Sequence, residues 1–141
     1  MTELAFHFNV PEPLFYVCRL LRKAVTSGAK VVVTASPDTL AGLDSALWTF
    51  SALDFVPHCF DGSDPALVAA SPVVLAASLD NLAHQQILLN LGLNVPAGFD
   101  RFERLIEVVG LEEDERQAAR FRWKYYAEQG HPIVRHDFNS K

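Results

Sequence analysis

The chain has 141 residues, 50% of them apolar and 21% charged, which is material for one globular domain and too little for two ordinary ones. Its net charge of −5 and pI near 5.4 are the wrong sign for a surface that grips nucleic acid as a whole. With no run of about 20 apolar residues and no basic-headed signal peptide, the chain reads as soluble and cytoplasmic, with no membrane partner.

Leu4 to Val10 reads as a first strand. Pro11 and Pro13 then start a helix that carries Leu14, Val17, Cys18, Leu21, Ala24 and Val25 at helical spacing, and Gly28 ends it. The β-branched run from Lys30 to Ala35 suits a strand buried on both faces, so the opening third is a βαβ unit. Ser36 offers an N-cap, Pro37 takes the first helical position and Asp38 favours the positive end of the helix dipole, starting a second helix that runs to about Phe50. Its core face is Leu40, Leu43, Leu47 and Phe50.

Gly, Pro, Ser and Asp between Phe55 and Ala70 predict irregular chain, after which Val73 to Ala77 and Ile87 to Leu91 are two further buried strands. Val95 to Phe99 is a turn, Leu105 to Val109 a fifth strand, and Glu113 to about Gln129 a final helix with acids in its first turn and Gly130 past its end. From His131 the tail is expected to fray. The expected fold is one Rossmann-like α/β domain over residues 1–130, a mostly parallel sheet of about five strands with helices on both faces, followed by a tail at 131–141.

Chemical motifs are sparse. Neither GxxxxGK[ST] nor GxGxxG follows an early strand, so the phosphate-binding loop of a doubly wound nucleotide site is missing. Cys18 and Cys59 have no CxxC spacing and read as small buried hydrophobes; His7, His58, His84, His131 and His136 lack ligand spacing, so no metal site and no cofactor are proposed. No GxSxG elbow is present, and Asp61, Asp64 and Asp80 fall in loops, so no catalytic residue is assigned.

Two surfaces stand out. No Lys or Arg occurs from Val31 through Asp100, whereas the C-terminal forty residues or so are rich in cations, so an anionic partner belongs there. On a helical wheel, Ala118, Phe121 and Tyr125 share one face of the final helix, taken to pack on the sheet, while Arg116, Arg120, Trp123, Lys124 and Ala127 share another. Cations beside a flat aromatic suit a short acidic peptide with a large hydrophobe; the alternative is a solvated basic face paired with Glu112, Glu113 and Glu115. Trp48 lies roughly 120° from the core face of the second helix and, with Phe55 and Pro57, forms either an exposed protein-binding patch or a cap on the sheet edge.

Five stretches, Leu43 to Trp48 (LDSALW), Phe55 to His58 (FVPH), Leu88 to Leu91 (LLNL), Arg101 to Val109 (RFERLIEVV) and Ala119 to Tyr125 (ARFRWKY), together resemble the chi subunit of bacterial DNA polymerase III, over residues 3–130. The resemblance implies a non-catalytic adaptor in the clamp-loader complex, with an α/β fold lacking the phosphate loop. It implies two partners: the acidic C-terminal tail of single-stranded-DNA-binding protein, which ends in acids and a Phe, and the psi subunit. DNA is then met only indirectly. By the family's pattern Arg120 and Lys124 hold the tail and Trp123 stands where an aromatic, usually Tyr, lines the tail pocket. Leu111 is the candidate apolar wall before the helix, Arg116 adds steering, and Trp48 and Phe55, with Pro57 beside them, face psi. A rival reading is a small-molecule- or nucleotide-binding α/β enzyme using the crevice near Ser36, Ser78 and Asp80.

Overall fold

The computed structural model describes residues 2–49, 55–80 and 84–138. Seven strands, β1 (Glu3–Phe8), β2 (Val31–Thr34), β3 (His58–Phe60), β4 (Val73–Leu75), β5 (Ile87–Asn90), β6 (Arg104–Val108) and β7 (Ile133–Asp137), form one sheet in the order β3-β4-β2-β5-β6-β1-β7. Every pairing is parallel. Four helices, α1 (Pro13–Thr26), α2 (Pro37–Thr49), α3 (Pro65–Ala70) and α4 (Glu113–Glu128), cover its two faces.

Strand alternation divides the core between those faces. Val31 and Val33 pack with Val17, Leu21, Leu40, Leu43 and Leu47 beneath α1 and α2, while Val32 turns to the other side and joins Phe6, Val68, Ala119 and Tyr126 beneath α3 and α4. A sheet buried on both faces explains why its central strands read as continuous apolar runs. The expected helix signals hold locally. The Thr39 N–H donates to Ser36 Oγ at 3.3 Å at the head of α2, and Gly28 and Gly130 take the positive φ (86° and 87°) that lets a chain leave a helix without a Cβ clash. Phe50, expected in the α2 core face, lies outside the described residues.

Three elements depart from the sequence reading. The stretch expected to be irregular contains β3, a three-residue edge strand with Cys59 buried, and α3, which begins at Pro65. Both are too short for hydrophobic periodicity to register. The residues expected to fray from 131 onward include β7, which pairs with β1 from Leu4↔Ile133 to Phe8↔Asp137. Its residues are half-exposed or exposed, as an edge strand allows, so the apolar run that marks a buried strand is absent. The sheet thus has seven strands where five were expected.

The wheel of α4 is also corrected. Phe121 is 78% and Tyr125 44% exposed, and the residues turned to the sheet are Ala119, Arg122 and Tyr126. The buried face includes a cation, Arg122, which a wheel of apolar residues does not mark. Cys18 and Cys59 are buried free thiols, as read. Among the described residues no helix is long and apolar enough to cross a membrane and no cluster of His, Cys, Asp or Glu is arranged to hold a metal ion.

Candidate functional site

The placement of α4 starts from a fully buried ionic cluster. Glu107 of β6 accepts from Arg122 Nε at 3.0 Å, from Tyr126 Oη at 2.6 Å and from Asn90 Nδ2 at 3.1 Å. Arg122 Nη1 also donates to the Leu93 carbonyl at 2.9 Å, and Asn90 Oδ1 accepts from the Gly92 N–H at 2.8 Å. Burial pushes the Glu107 carboxyl up, opposed by the Arg122 charge and the hydrogen bonds it accepts. Burial, followed by the adjacent carboxylate, pushes the Tyr126 hydroxyl up, so it stays protonated and donates. A buried pair with its polar atoms engaged fixes rotation and register where an apolar contact would tolerate sliding.

With α4 so fixed, a cavity of about 520 Å³ opens between its N-terminal half, the ends of β1 and β6, and β7. Its apolar floor is Phe6, Phe8, Val109, Ala119 and Trp123; its rim carries Arg116, Arg120, Asn9, Arg135 and Asp137. The Trp123 ring rests on Phe6, with centroids 5.0 Å apart and planes tilted by 53°. Trp123 therefore both covers sheet and forms a pocket wall, so the two readings of it are compatible. Arg116 Nη1 and Arg120 Nη1 share Glu113, at 3.9 and 3.7 Å, on an exposed face. Contacts that long and that solvated hold a guanidinium weakly, leaving both arginines open to a stronger anion. Glu113, Asp114 and Glu115 occupy the first turn, so the helix N-terminus is already matched with negative charge and the arginines are the cavity's attraction for anions.

The structure brings Arg116, Arg120 and Trp123 together around this cavity and leaves two expected members outside it. Lys124 is exposed beyond the rim, and Leu111 is 54% exposed; the apolar residue ahead of α4 that does line the cavity is Val109. Sequence reasoning missed Arg135 because β7 went unrecognised, and Phe6 and Phe8 because the strand that carries them does not itself show that it passes beneath α4. The Glu107–Arg122 pair had a visible sign, an acid in the middle of the otherwise apolar Leu105 to Val109 run.

The second surface lies at the opposite edge of the sheet. Trp48 is 61% and Phe55 54% exposed, with ring centroids 4.9 Å apart. Both stand against His58, at 5.6 and 5.8 Å, which is fixed by the Val56 carbonyl at 2.6 Å and the Asp44 carboxylate at 2.9 Å. Pro57 is exposed beside them. Two large aromatics braced by a hydrogen-bonded imidazole and left in solvent have the make-up of an interface anchor.

The crevice of the rival reading is differently occupied. Ser36 Oγ is engaged at the head of α2, and Ser78 Oγ donates to Asp80 Oδ2 at 3.0 Å while accepting from the Asp80 N–H at 3.4 Å. These are cap and turn contacts, each satisfied locally. A wider cleft of about 1020 Å³ at the other end of the strands mixes Lys23, Arg101 and Arg104 with Glu3, Asp100 and Glu103, and so has no dominant charge.

Comparison with known proteins shows the family. The family model described as DNA polymerase III chi subunit, HolC, matches residues 1–134. The DNA polymerase III subunit chi of Pseudomonas aeruginosa is 35% identical over 84% of this chain and 82% of its own length. That of Escherichia coli K12 is 29% identical over 81% of this chain and 78% of its own. Among solved structures, the C-terminal domain of the Saccharomyces cerevisiae Dbp5 L327V variant, bound to Gle1 H337R and IP6, superposes with a TM-score of 0.63 at 11% identity, covering 99% of this chain and 92% of that one. A likeness at that identity is one of fold alone.

Proposed function

Because the chain belongs to the DNA polymerase III chi subunit family and so serves DNA replication as an accessory subunit, we propose that it is a non-catalytic adaptor. Its α4 cavity takes the acidic C-terminal tail of single-stranded-DNA-binding protein, and its Trp48 patch takes the psi subunit, which links it to the clamp loader. It works in the cytoplasm and meets DNA only through these partners.

The observation that carries the tail reading is the cavity itself, an apolar aromatic floor beneath guanidiniums that are only weakly neutralised. A peptide ending in acids and a Phe supplies both complements, its ring for the floor and its carboxylates for the rim. Arg120 makes the principal charged contact, Trp123 and Val109 enclose the ring, Arg116 steers, and Lys124, beyond the rim, meets acids further along the tail. Leu111, exposed ahead of α4, does not line the cavity. So small a contact is weak, roughly micromolar, and sensitive to salt.

A calorimetric titration with an acidic peptide ending in Phe tests this reading. We expect saturable binding to the unmodified chain, weaker at higher salt, and a loss of about 1.5 to 3 kcal/mol with Arg120→Ala, the range for a charged hydrogen bond. Equal binding by the two proteins would remove Arg120 from the site.

A further inference from the structure

We propose that the bound peptide crosses α4 beyond the cavity and sets an apolar side chain, from well before its end, on an exposed shelf formed by Phe121 and Tyr125; the inference rests on the tail reading above. Phe121 is the most exposed large apolar side chain among the described residues, at 78%, and Tyr125 is 44% exposed. Placed at i and i+4 of α4, they present neighbouring rings on one flank of the helix. Tyr125 stands against the buried Phe99, with ring centroids 6.5 Å apart. Leu93, 52% exposed, is tethered nearby through its carbonyl by Arg122. Both Phe99 and Leu93 lie in the chain that follows β5, so the shelf occupies the β5 side of α4 and the cavity its β7 side.

Charge selects the occupant. Between cavity and shelf the crest of α4 carries Arg120 and Lys124, both exposed, whereas Glu113, Asp114 and Glu115 stand in its first turn and Glu128 at its end. An acidic chain is therefore drawn across the middle of the helix and repelled from both ends. Two copies of this chain laid antiparallel through the same flank would set the first-turn acids of each against Glu128 of the other, with no basic residue in the last turn to offset them, which disfavours self-pairing. The spacing follows from helix geometry. Trp123 and Phe121, two positions apart, point about 160° apart around a helix about 10 to 12 Å across. The path over the crest is then roughly 15 Å, or about five residues of extended chain at about 3.3 Å each. The peptide so read has its terminal ring in the cavity, acids over Arg120 and Lys124, and an apolar residue on the shelf.

The test titrates acidic peptides ending in Phe into the unmodified chain and into Phe121→Ser. Three peptides carry a single Leu at about four, five or six positions before the end, the range the crest path allows, and a fourth has Ser at all of them. We expect the best-placed Leu to tighten binding to the unmodified chain about five- to tenfold over the Ser peptide, as partial burial of one apolar side chain does, and that gain to vanish in Phe121→Ser. Phe121→Leu keeps apolar area on the shelf and should retain part of the gain. Phe15→Ser, which removes a half-exposed ring from α1 on the other face of the sheet, should leave it unchanged. Equal binding of the Leu and Ser peptides by the unmodified chain, or a gain that survives in Phe121→Ser, would overturn this inference and leave the tail reading intact. Dimerisation of the chain that is lost in Phe121→Ser, with no gain from Leu, would overturn it in favour of a second copy on the shelf. Failure of the unmodified chain to bind any of the peptides would overturn both readings.

Discussion

Arg122 and Glu107 show how far one buried pair constrains a site that neither touches directly. The two are almost wholly excluded from solvent, so removing one partner leaves a charge that water cannot reach. Arg122→Met is expected to cost about 3 to 5 kcal/mol in urea unfolding, the range for breaking a buried ion pair. Adding Glu107→Gln should recover a large part of that loss, because the orphaned charge goes with it. A single-variant cost under about 1 kcal/mol would mean that the pair does not set the position of α4. The same pair explains the error on the α4 wheel. The chain's pattern makes Arg122 one cation among several, and only its alignment with an acid on a neighbouring strand, a contact between residues far apart in sequence, identifies it as core.

Among the elements, β7 separates what local pattern reveals from what only the fold reveals. The five strands and three of the helices expected from sequence are those with apolar runs, Pro starts or Gly stops. β7 is an exposed edge with none of these, and β3 and α3 are too short to carry a period. The cavity was legible only in its α4 half: Arg116, Arg120 and Trp123 share a stripe, while Phe6 and Phe8 join them from β1 beneath α4, and Arg135 through the β1–β7 pairing. That pairing is braced by His7, which hydrogen-bonds through Nδ1 to the Tyr16 hydroxyl and packs against His136 and Phe138. Burial, and then the neighbouring His136, push the His7 pKa from its ordinary 6.5 down to about 4. The unfolded chain therefore takes a proton near pH 6.5 that the folded chain refuses until about pH 4. His7 thus contributes a stability that is fully present above pH 6.5 and lost as the pH falls toward 4. The melting temperature is expected to fall between pH 7 and pH 5, and His7→Gln should flatten that slope; an unchanged slope would show that other groups set it.

At the scale of the molecule, the two proposed surfaces occupy opposite edges of one sheet. The Trp48 patch stands by β3 and the cavity lies beside β7, with five strands between them. At about 4.8 Å per strand that is roughly 29 Å, so each partner can be held without touching the other. Trp48→Ala is accordingly expected to weaken psi binding at least tenfold, as the loss of an interface anchor does, and to leave tail-peptide affinity within about twofold. Loss of both together would make Trp48 a packing residue. Several tails presented by one protein assembly should bind more tightly than a single peptide, since the second engagement is intramolecular. The direct measurement is a titration of single-stranded-DNA-binding protein into this chain alone and into its complex with psi, followed by sedimentation. An adaptor with two independent surfaces gives matching affinities and a ternary complex. Displacement of psi by the tail, or a complex that sediments with only one partner at a time, would contradict it.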